Sequence, residues 1–575
     1  MADVLFITPN TKNSAINESV GTLLLATVLR QNGVFVEILS FSRFGNPTDF
    51  QSFLNNAVEM ICREQPKIVS FYTRCDCYHI MLRIAERIKN QTDAYTVFGG
   101  PQSDVSAVDT LREISYVDYI CCGEGENTVY PFFSSLLRGE PDITVPGLAY
   151  RSGDRIVQNS RPKLVENLDS LPEIDYSVSK SSLEVGDAEW FPIDVGRGCP
   201  FGCTYCSTKS FWGRKYRLKS PQRVLYEIKR INEQFGTLKF ELLHDMFTMN
   251  RAKVVETCGL LNTLDFPISW VCSARIDCID KELVDIMVES GMKGIYIGIE
   301  SGSPRMQKII NKNLNLDRVM EMISYIYSKN IKIVVSFIYG FPEETEEDIS
   351  QTMSLIAQIA KYKKIEIQTH LCTFLPGTEL SQKYMSDLTS VASFSDVTGA
   401  IAVEECSELI EAHPKLFQHF CEYKTDLRTR LEFFSVFFRM WHYLQPVYQY
   451  LAETYYCNRL LDMYYDFSTA NHSILQKIKG MSAIEQFERI IQEDCFAAKF
   501  KDDEYYDLIA DFHRMVALHN SERFIKSGIV TDAFCFSPED IARCSRLQYY
   551  NRNLTFVTFT REQDGSLKFR IRNVN

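Results

Sequence analysis

"GRGCPFGCTYCSTKSFWGRKYR", residues 196–217, places Cys199, Cys203 and Cys206 within eight residues and follows them with a run of cations. A structural zinc site takes four ligands, usually as two CxxC pairs. Here the next cysteine is Cys258 and the next histidine is His244. An iron–sulfur cubane that only carries electrons also takes four cysteines. Three thiolates on a [4Fe–4S] cluster leave one iron without a protein ligand, open to a second group. The strand-like "WFPIDVG" (190–196) leads into the loop, and Gly196, Gly198 and Gly202 let backbone wrap closely around a cluster.

Downstream, "KFELLH" (239–244), "SWVCSAR" (269–275), "KGIYIGIE" (293–300), "KIVVSFIYG" (332–340) and "IEIQTHLCTF" (365–374) read as strands separated by helical segments. With the strand before the cysteines they predict a partial (β/α)6 TIM-type barrel over residues 190–395, its chemistry at the carboxyl ends of the strands. Upstream, five short apolar runs alternate with amphipathic stretches over residues 1–137. That pattern predicts an α/β, doubly wound, flavodoxin-like domain. Ligands on such sheets sit at the strand ends, which here offer Pro9, Asn10, Tyr72, Thr73, Gly99 to Gln102 and "GEGEN" (123–127). Residues 138–189 read as a linker around one hairpin at about 147–158. From 396 to 575 the chain reads as a mostly helical substrate domain. Its aromatic run at 431–467 fits a bundle core better than an aromatic cage, and it ends in a β-hairpin at 554–574 around "QDGS".

The balance of 62 Lys+Arg against 74 Asp+Glu, a net charge of −12, argues against nucleic acid as the main partner. No uncharged apolar run reaches the roughly 18 residues of a membrane span, and "MADVLFITPN" reads as a first strand, not a signal peptide. The expected location is the cytoplasm, where clustered cysteines are metal ligands or catalysts.

The CxxxCxxC loop after a first barrel strand, with Tyr205 before its last cysteine, resembles the radical S-adenosylmethionine (radical SAM) enzymes. "IGIESGSPRMQKIINK" (297–312), "SFIYGFPEETEED" (336–348) and "FLPGTEL" (374–380) match that family in order. The resemblance implies that Cys199, Cys203 and Cys206 hold a [4Fe–4S] cluster whose open iron chelates S-adenosylmethionine. It also implies an electron donor of flavodoxin or ferredoxin type, and cleavage of the sulfonium to a 5′-deoxyadenosyl radical. Glu300, Ser301 and Ser336 are placed for the ribose or methionyl group and Arg275 for the carboxylate. Tyr205 and the backbone to Gly340 are placed beside the adenine. A plain Arg275–Glu300 ion pair is the alternative for those two. "HDMFT" offers His244 and Asp245 where relatives carry two acids, leaving open which meets the cofactor's amino group.

Residues 1–137 resemble the cobalamin (B12)-binding domain of a radical SAM subgroup, through "VGTLLLATVLRQNG", "VFGGPQS" and "VDYICCGEGENTVYPFF". That implies a corrin near Tyr72, Thr73, Gly99, Gly100, Gly123 and Glu124. The DxHxxG cobalt-ligand motif is absent, and His79 in "DCYH" has the wrong spacing, so binding is expected base-off without a protein ligand. Tyr72 and Arg74 are then expected near the lower face. The expected function is methylation of an unactivated carbon in a peptide or small natural product. The alternative is a radical cyclisation, rearrangement or epimerisation with a domain that has lost cobalamin. The tRNA-modifying methylthiotransferase branch would need a further cysteine trio upstream, and Cys62, Cys75, Cys77, Cys121 and Cys122 do not provide its spacing.

Overall fold

Strands that are apolar at nearly every position are stable only where helices cover both faces. In the computed structural model β1 (Val4–Thr8) is buried along its whole length. It is flanked in parallel by β2 (Val36–Ser40) and β3 (Ile68–Tyr72), with β4 (Tyr95–Gly99) and β5 (Tyr119–Cys121) beyond. The order 2-1-3-4-5 is the flavodoxin-like one expected. The structure describes residues 2–9, 19–179, 190–362, 365–389, 402–443, 445–478, parts of 486–500 and three strands between 529 and 573. Asn10 and the "QDGS" turn lie outside them.

The hairpin expected within a linker does more than connect. β6 (Leu148–Ser152) pairs antiparallel with β5, and β7 (Arg155–Gln158) pairs with β6, so the first sheet has seven strands. The three-residue β5 would otherwise leave an open edge; Leu148 and Ala149, both fully buried, close it.

The second sheet is parallel throughout and follows chain order: β8 (Phe191–Asp194), β11 (Lys239–Leu243), β12 (Ser269–Ala274), β13 (Met292–Glu300), β14 (Lys332–Tyr339) and β15 (Ile365–Leu371). The short pair β9 (Gly196–Arg197) and β10 (Arg217–Leu218) stands apart from it. Helices form where their ends are satisfied. Pro221–Phe235 starts at Ser220, which accepts a hydrogen bond from Arg223 N–H, and stops at left-handed Gly236. Glu346–Ala360 opens with a Thr345–Asp348 capping box. Phe240, Leu242, Trp270, Ile295, Ile297, Ile333 and Val335 are buried against these helices. Alternate residues such as Ser273, Tyr296, Gly298, Gln368 and His370 are only partly covered and face the inside of the open barrel.

The chain then returns to the first domain. Phe417 packs on Tyr78 at 5.8 Å, and Gln102 Nε2 donates to the Leu416 carbonyl at 2.9 Å. Residues 434–470 pack back on the barrel through Phe434 against Tyr339, 4.5 Å apart. Phe437 sits within 6.0 Å of Trp441, Tyr448, Tyr464 and Phe467, so this aromatic run is a packed core. The terminal strands β17 (Thr555–Arg561) and β18 (Leu567–Asn573) pair antiparallel as expected, and β16 (Ile529–Phe534) extends them to three. No helix among the described residues is long and apolar enough to cross a membrane.

Candidate active site

The cysteine loop is closed by backbone approach. Gly198 has φ +82°, and a Cβ there would lie 2.0 Å from the Lys215 carbonyl oxygen. Thr204 N–H donates to Ile310 O (3.0 Å), Leu380 N–H to Thr204 O (2.9 Å) and Asn311 Nδ2 to Gly202 O (2.8 Å), tying the loop to the segments after β13 and β15. All three thiols are half-buried. Burial and then the neighbouring thiols push Cys199 up to about 11, and burial raises Cys206 as well. Among the described residues no three His, Cys, Asp or Glu side chains converge as a single ion requires. Three thiols spread around one loop are instead a donor set for a cubane, whose irons stand apart and would deprotonate them.

Arg275 lies against this loop. Its guanidinium stacks 3.8 Å from the Phe201 ring centroid, and Nη1 is 3.9 Å from Cys203 Sγ. It forks onto Asp277 at 2.9 and 2.8 Å and bonds the Lys312 carbonyl at 2.6 Å. Glu300 ends β13 at a register shift, with φ +69°, and pairs with Lys312 at 2.7 Å. Arg275 and Glu300 are therefore not each other's partners. Both Glu300 and Lys312 are 7% exposed, and Lys312 Nζ also reaches Tyr205 Oη at 3.5 Å. Burial, then the Glu300 carboxylate, holds Tyr205 well above its usual range. A Cβ on Gly298 would meet Glu300 Oε1 at 2.3 Å, so that glycine makes room for the pair. Sequence reading missed Lys312. Its only signal was its place in "IINK", twelve residues after the acid.

Other expected contacts fall differently. Ser301 is fully buried, with Oγ 3.2 Å from Thr352 Oγ1 and accepting from Ser303 N–H at 3.1 Å, so its hydroxyl is engaged with the 346–360 helix. Gly340 does not leave an open backbone for adenine. Arg428 bonds its carbonyl and the Cys372 carbonyl (3.2 and 3.3 Å), and a Cβ there would meet Leu371 at 2.8 Å. Ser336 stays on the inner face, in register with Gly298 and Gln368. Of the pair after β11, Asp245 borders the cysteine loop, accepting from Gly198 N–H (3.3 Å) and Thr208 Oγ1 (3.4 Å). His244 is buried, pushed down to about 4 by desolvation, and its Nδ1 accepts from Met246 N–H at 2.6 Å.

The strand ends of the first sheet face this site. Asp104 pairs with Arg161 (2.9 Å), whose other nitrogen reaches Phe211 O at 3.4 Å, and Gly377 lies 3.0 Å by its virtual Cβ from Val105. Several residues expected to cradle a corrin are used by the fold. Gly100, φ +104°, has Thr73 O and N at 2.7 and 2.9 Å from where a Cβ would be, so the glycine serves this crossing. Thr73 Oγ1 bonds Gly99 O (3.0 Å) and Ser103 Oγ (2.7 Å). A Cβ on Gly123 would lie 3.2 Å from the Pro162 ring. Glu124 is consumed by Arg197, Arg217 and Val165 N–H. Tyr72 remains partly exposed at the end of β3, hydrogen-bonded to Ser19, with Arg74 forked onto Asp76. His79 is fully buried and edge-on to Phe420, inside the core.

A parallel six-stranded barrel sheet with a three-cysteine loop on its first strand and a buried acid ending its fourth defines a class. Residues 193–356 match the radical SAM superfamily model, and the chain is an enzyme with a radical SAM domain, of the kind that uses a [4Fe–4S] cluster and S-adenosylmethionine. It is 28% identical over 332 residues to an uncharacterized methyltransferase of Pyrococcus horikoshii, covering 57% of this chain and 71% of that one. It is 27% identical over 270 residues to an anaerobic magnesium-protoporphyrin IX monomethyl ester cyclase of Cereibacter sphaeroides, covering 45% of this chain and under half, 44%, of the relative. Its fold is similar to that of the cobalamin-dependent S-adenosylmethionine radical enzyme OxsB, solved with aqua-cobalamin and S-adenosylmethionine bound. That match has a TM-score of 0.58 at 14% identity over 95% of this chain and 83% of that one.

Proposed function

We propose that this enzyme is a cobalamin-dependent methyltransferase acting on an unactivated carbon of a peptide or small natural product in the cytoplasm. One observation carries the reading: the helix after β4, at the carboxyl end of the first sheet, touches the second domain, Arg161 joining Asp104 to the Phe211 carbonyl and Val105 packing on Gly377. A ligand on the first domain therefore borders the cysteine loop of the second. When bound, the cluster supplies an electron, from a flavodoxin- or ferredoxin-type donor, that opens the sulfonium of S-adenosylmethionine, and cobalamin supplies a methyl carrier.

The chain's own residues prepare that chemistry. Cys199, Cys203 and Cys206 would hold the cluster by three thiolates, leaving one iron for the methionyl group. Lys312 is the buried cation nearest Glu300 and Tyr205, and it offers its ammonium to the methionyl carboxylate while Glu300 accepts from the amine or ribose. Arg275 positions the loop from below Cys203 instead of taking that carboxylate itself. No imidazole among the described residues stands at the strand ends of the first sheet, so Tyr72, at the end of β3, would border a cobalamin held there base-off. Residues 402–430, through Gln102–Leu416 and Arg428–Gly340, shield the facing strand ends from water.

Anaerobic reconstitution with iron, sulfide and cobalamin, followed by absorption spectroscopy and product mass analysis, tests this. A base-off cobalamin spectrum and a product with one added methyl group are expected. A chain that stays free of cobalamin yet cleaves S-adenosylmethionine would instead support a radical cyclisation or rearrangement, the reading the cyclase relative favours.

A further inference from the structure

The "GEGEN" loop of the first domain reaches into the second at one place. In the β9–β10 pair, Arg197 stands directly opposite Arg217, and both residues are 6% exposed. Two adjacent buried cations repel unless anions stand between them. The two closest anions come from the other domain. Glu124 Oε1 accepts from Arg197 Nη1 (3.2 Å) and Arg217 Nη2 (2.6 Å), and its Oε2 accepts from Arg217 Nη1 (3.1 Å) and Val165 N–H (2.6 Å). Glu126 takes Arg197 Nη2 at 2.7 Å, and Asp194 lies 3.5 Å from its Nε. The Trp212 ring faces both guanidiniums at 5.5 and 5.7 Å. Glu124 is 4% exposed, yet these partners hold its carboxyl below the usual range.

Arg197 is two residues before Cys199, and Arg217 closes the far end of the same loop. We propose that Glu124 and Glu126 are positioning residues for the cysteine loop: the first domain supplies the charges that fix where the thiols stand. The inference rests on the reading of Cys199, Cys203 and Cys206 as cluster ligands. It gives the first domain a task in the radical half-reaction that is separate from carrying a cofactor.

The test is a charge-compensation cycle. In the cluster-free full chain, Glu124→Gln keeps the side-chain shape but leaves Arg217 without a carboxylate partner, while Arg197 keeps Glu126 and Asp194. Hydrogen exchange of segment 196–218 should then rise about tenfold or more, with Val4–Thr8 and Lys332–Tyr339 unchanged. Adding Arg217→Met removes the surplus cation and should bring exchange back to within about threefold of wild type. Glu126→Gln should loosen the 196–206 half of the segment alone. In the reconstituted enzyme, Glu124→Gln should move the cluster's midpoint potential positive, and the double variant should return it. Wild-type exchange in Glu124→Gln, an equal rise throughout the chain, or no recovery in the double variant would each overturn the proposal. A wild-type chain that holds no iron would refute the cluster reading while leaving the exchange result to stand.

Discussion

Replacing Lys312 by Met separates what the Glu300–Lys312 pair does for the fold from what it does for the cofactor. The two groups are 2.7 Å apart and 7% exposed each, so losing the ammonium leaves a carboxylate buried without its counter-ion. Breaking a buried pair from one side costs about 3–5 kcal/mol, whereas replacing both partners by neutral groups is often close to neutral. Lys312→Met should therefore lower the urea midpoint of the barrel's unfolding transition strongly. Lys312→Met with Glu300→Gln should restore most of it. The surface pair Lys281–Glu321, with both side chains about half exposed, is the control, and Lys281→Met should leave the midpoint unchanged. Titration calorimetry with S-adenosylmethionine on the iron-loaded chain should behave otherwise. Both the single and the double variant should lose roughly 1.5–3 kcal/mol of binding, the scale of a charge-assisted hydrogen bond. A double variant that regains affinity together with stability would show that the pair is structural only.

Ala at Cys199, Cys203 or Cys206 should each abolish the visible iron–sulfur absorption and the formation of 5′-deoxyadenosine; one variant retaining both would remove that residue from the ligand set. Gly100→Ala should destabilise the first domain by roughly 1–3 kcal/mol with no cobalamin present, since φ +104° and the Thr73 backbone both oppose a side chain; wild-type stability would reopen the glycine to a ligand role. Glu344, buried under Gly340, is pushed up to about 8 by desolvation, against 4.5 when exposed. The folded chain therefore holds its proton through a range where the unfolded chain has lost it. Stability from this group is full below pH 4.5 and falls as pH rises through 8. Glu344→Gln should flatten that slope, as read by urea unfolding across the window; an unchanged slope would mean the group is ionised when folded.

The strands of both sheets were legible because their two signals agree. Apolar runs in β1, β3 and β4 announce burial on both faces, and the alternation in "KGIYIGIE" announces one face against helices and one toward a lumen. The site was legible where chemistry is local. Cys199, Cys203 and Cys206 share one loop, and Glu300 ends a strand. It was not legible where a role depends on which distant segment arrives. Gly100 and Glu124 stand at strand ends, the right place for a ligand, but the Thr73 backbone fills one and two arginines of the other domain claim the second. Lys312, after a short helix, reads as a solvated cation until the β13 bulge turns Glu300 toward it.

These misreadings share a physical origin that bears on how the enzyme works. Around the two sheets, polar groups from four separate parts of the chain fasten one segment to another. Glu124 comes from the first domain, Arg161 from the hairpin region, Arg197 and Arg217 from the loop that frames the cysteines, and Arg428 from the C-terminal region. Each of these arginines is spent on a carboxylate or carbonyl of another segment. Arginine suits this task because its planar fork bonds two segments at once. A radical formed beside the cysteine loop must meet its substrate before it meets water. Forks of this kind hold segments together through a few directional bonds, where apolar packing would need a broad buried face.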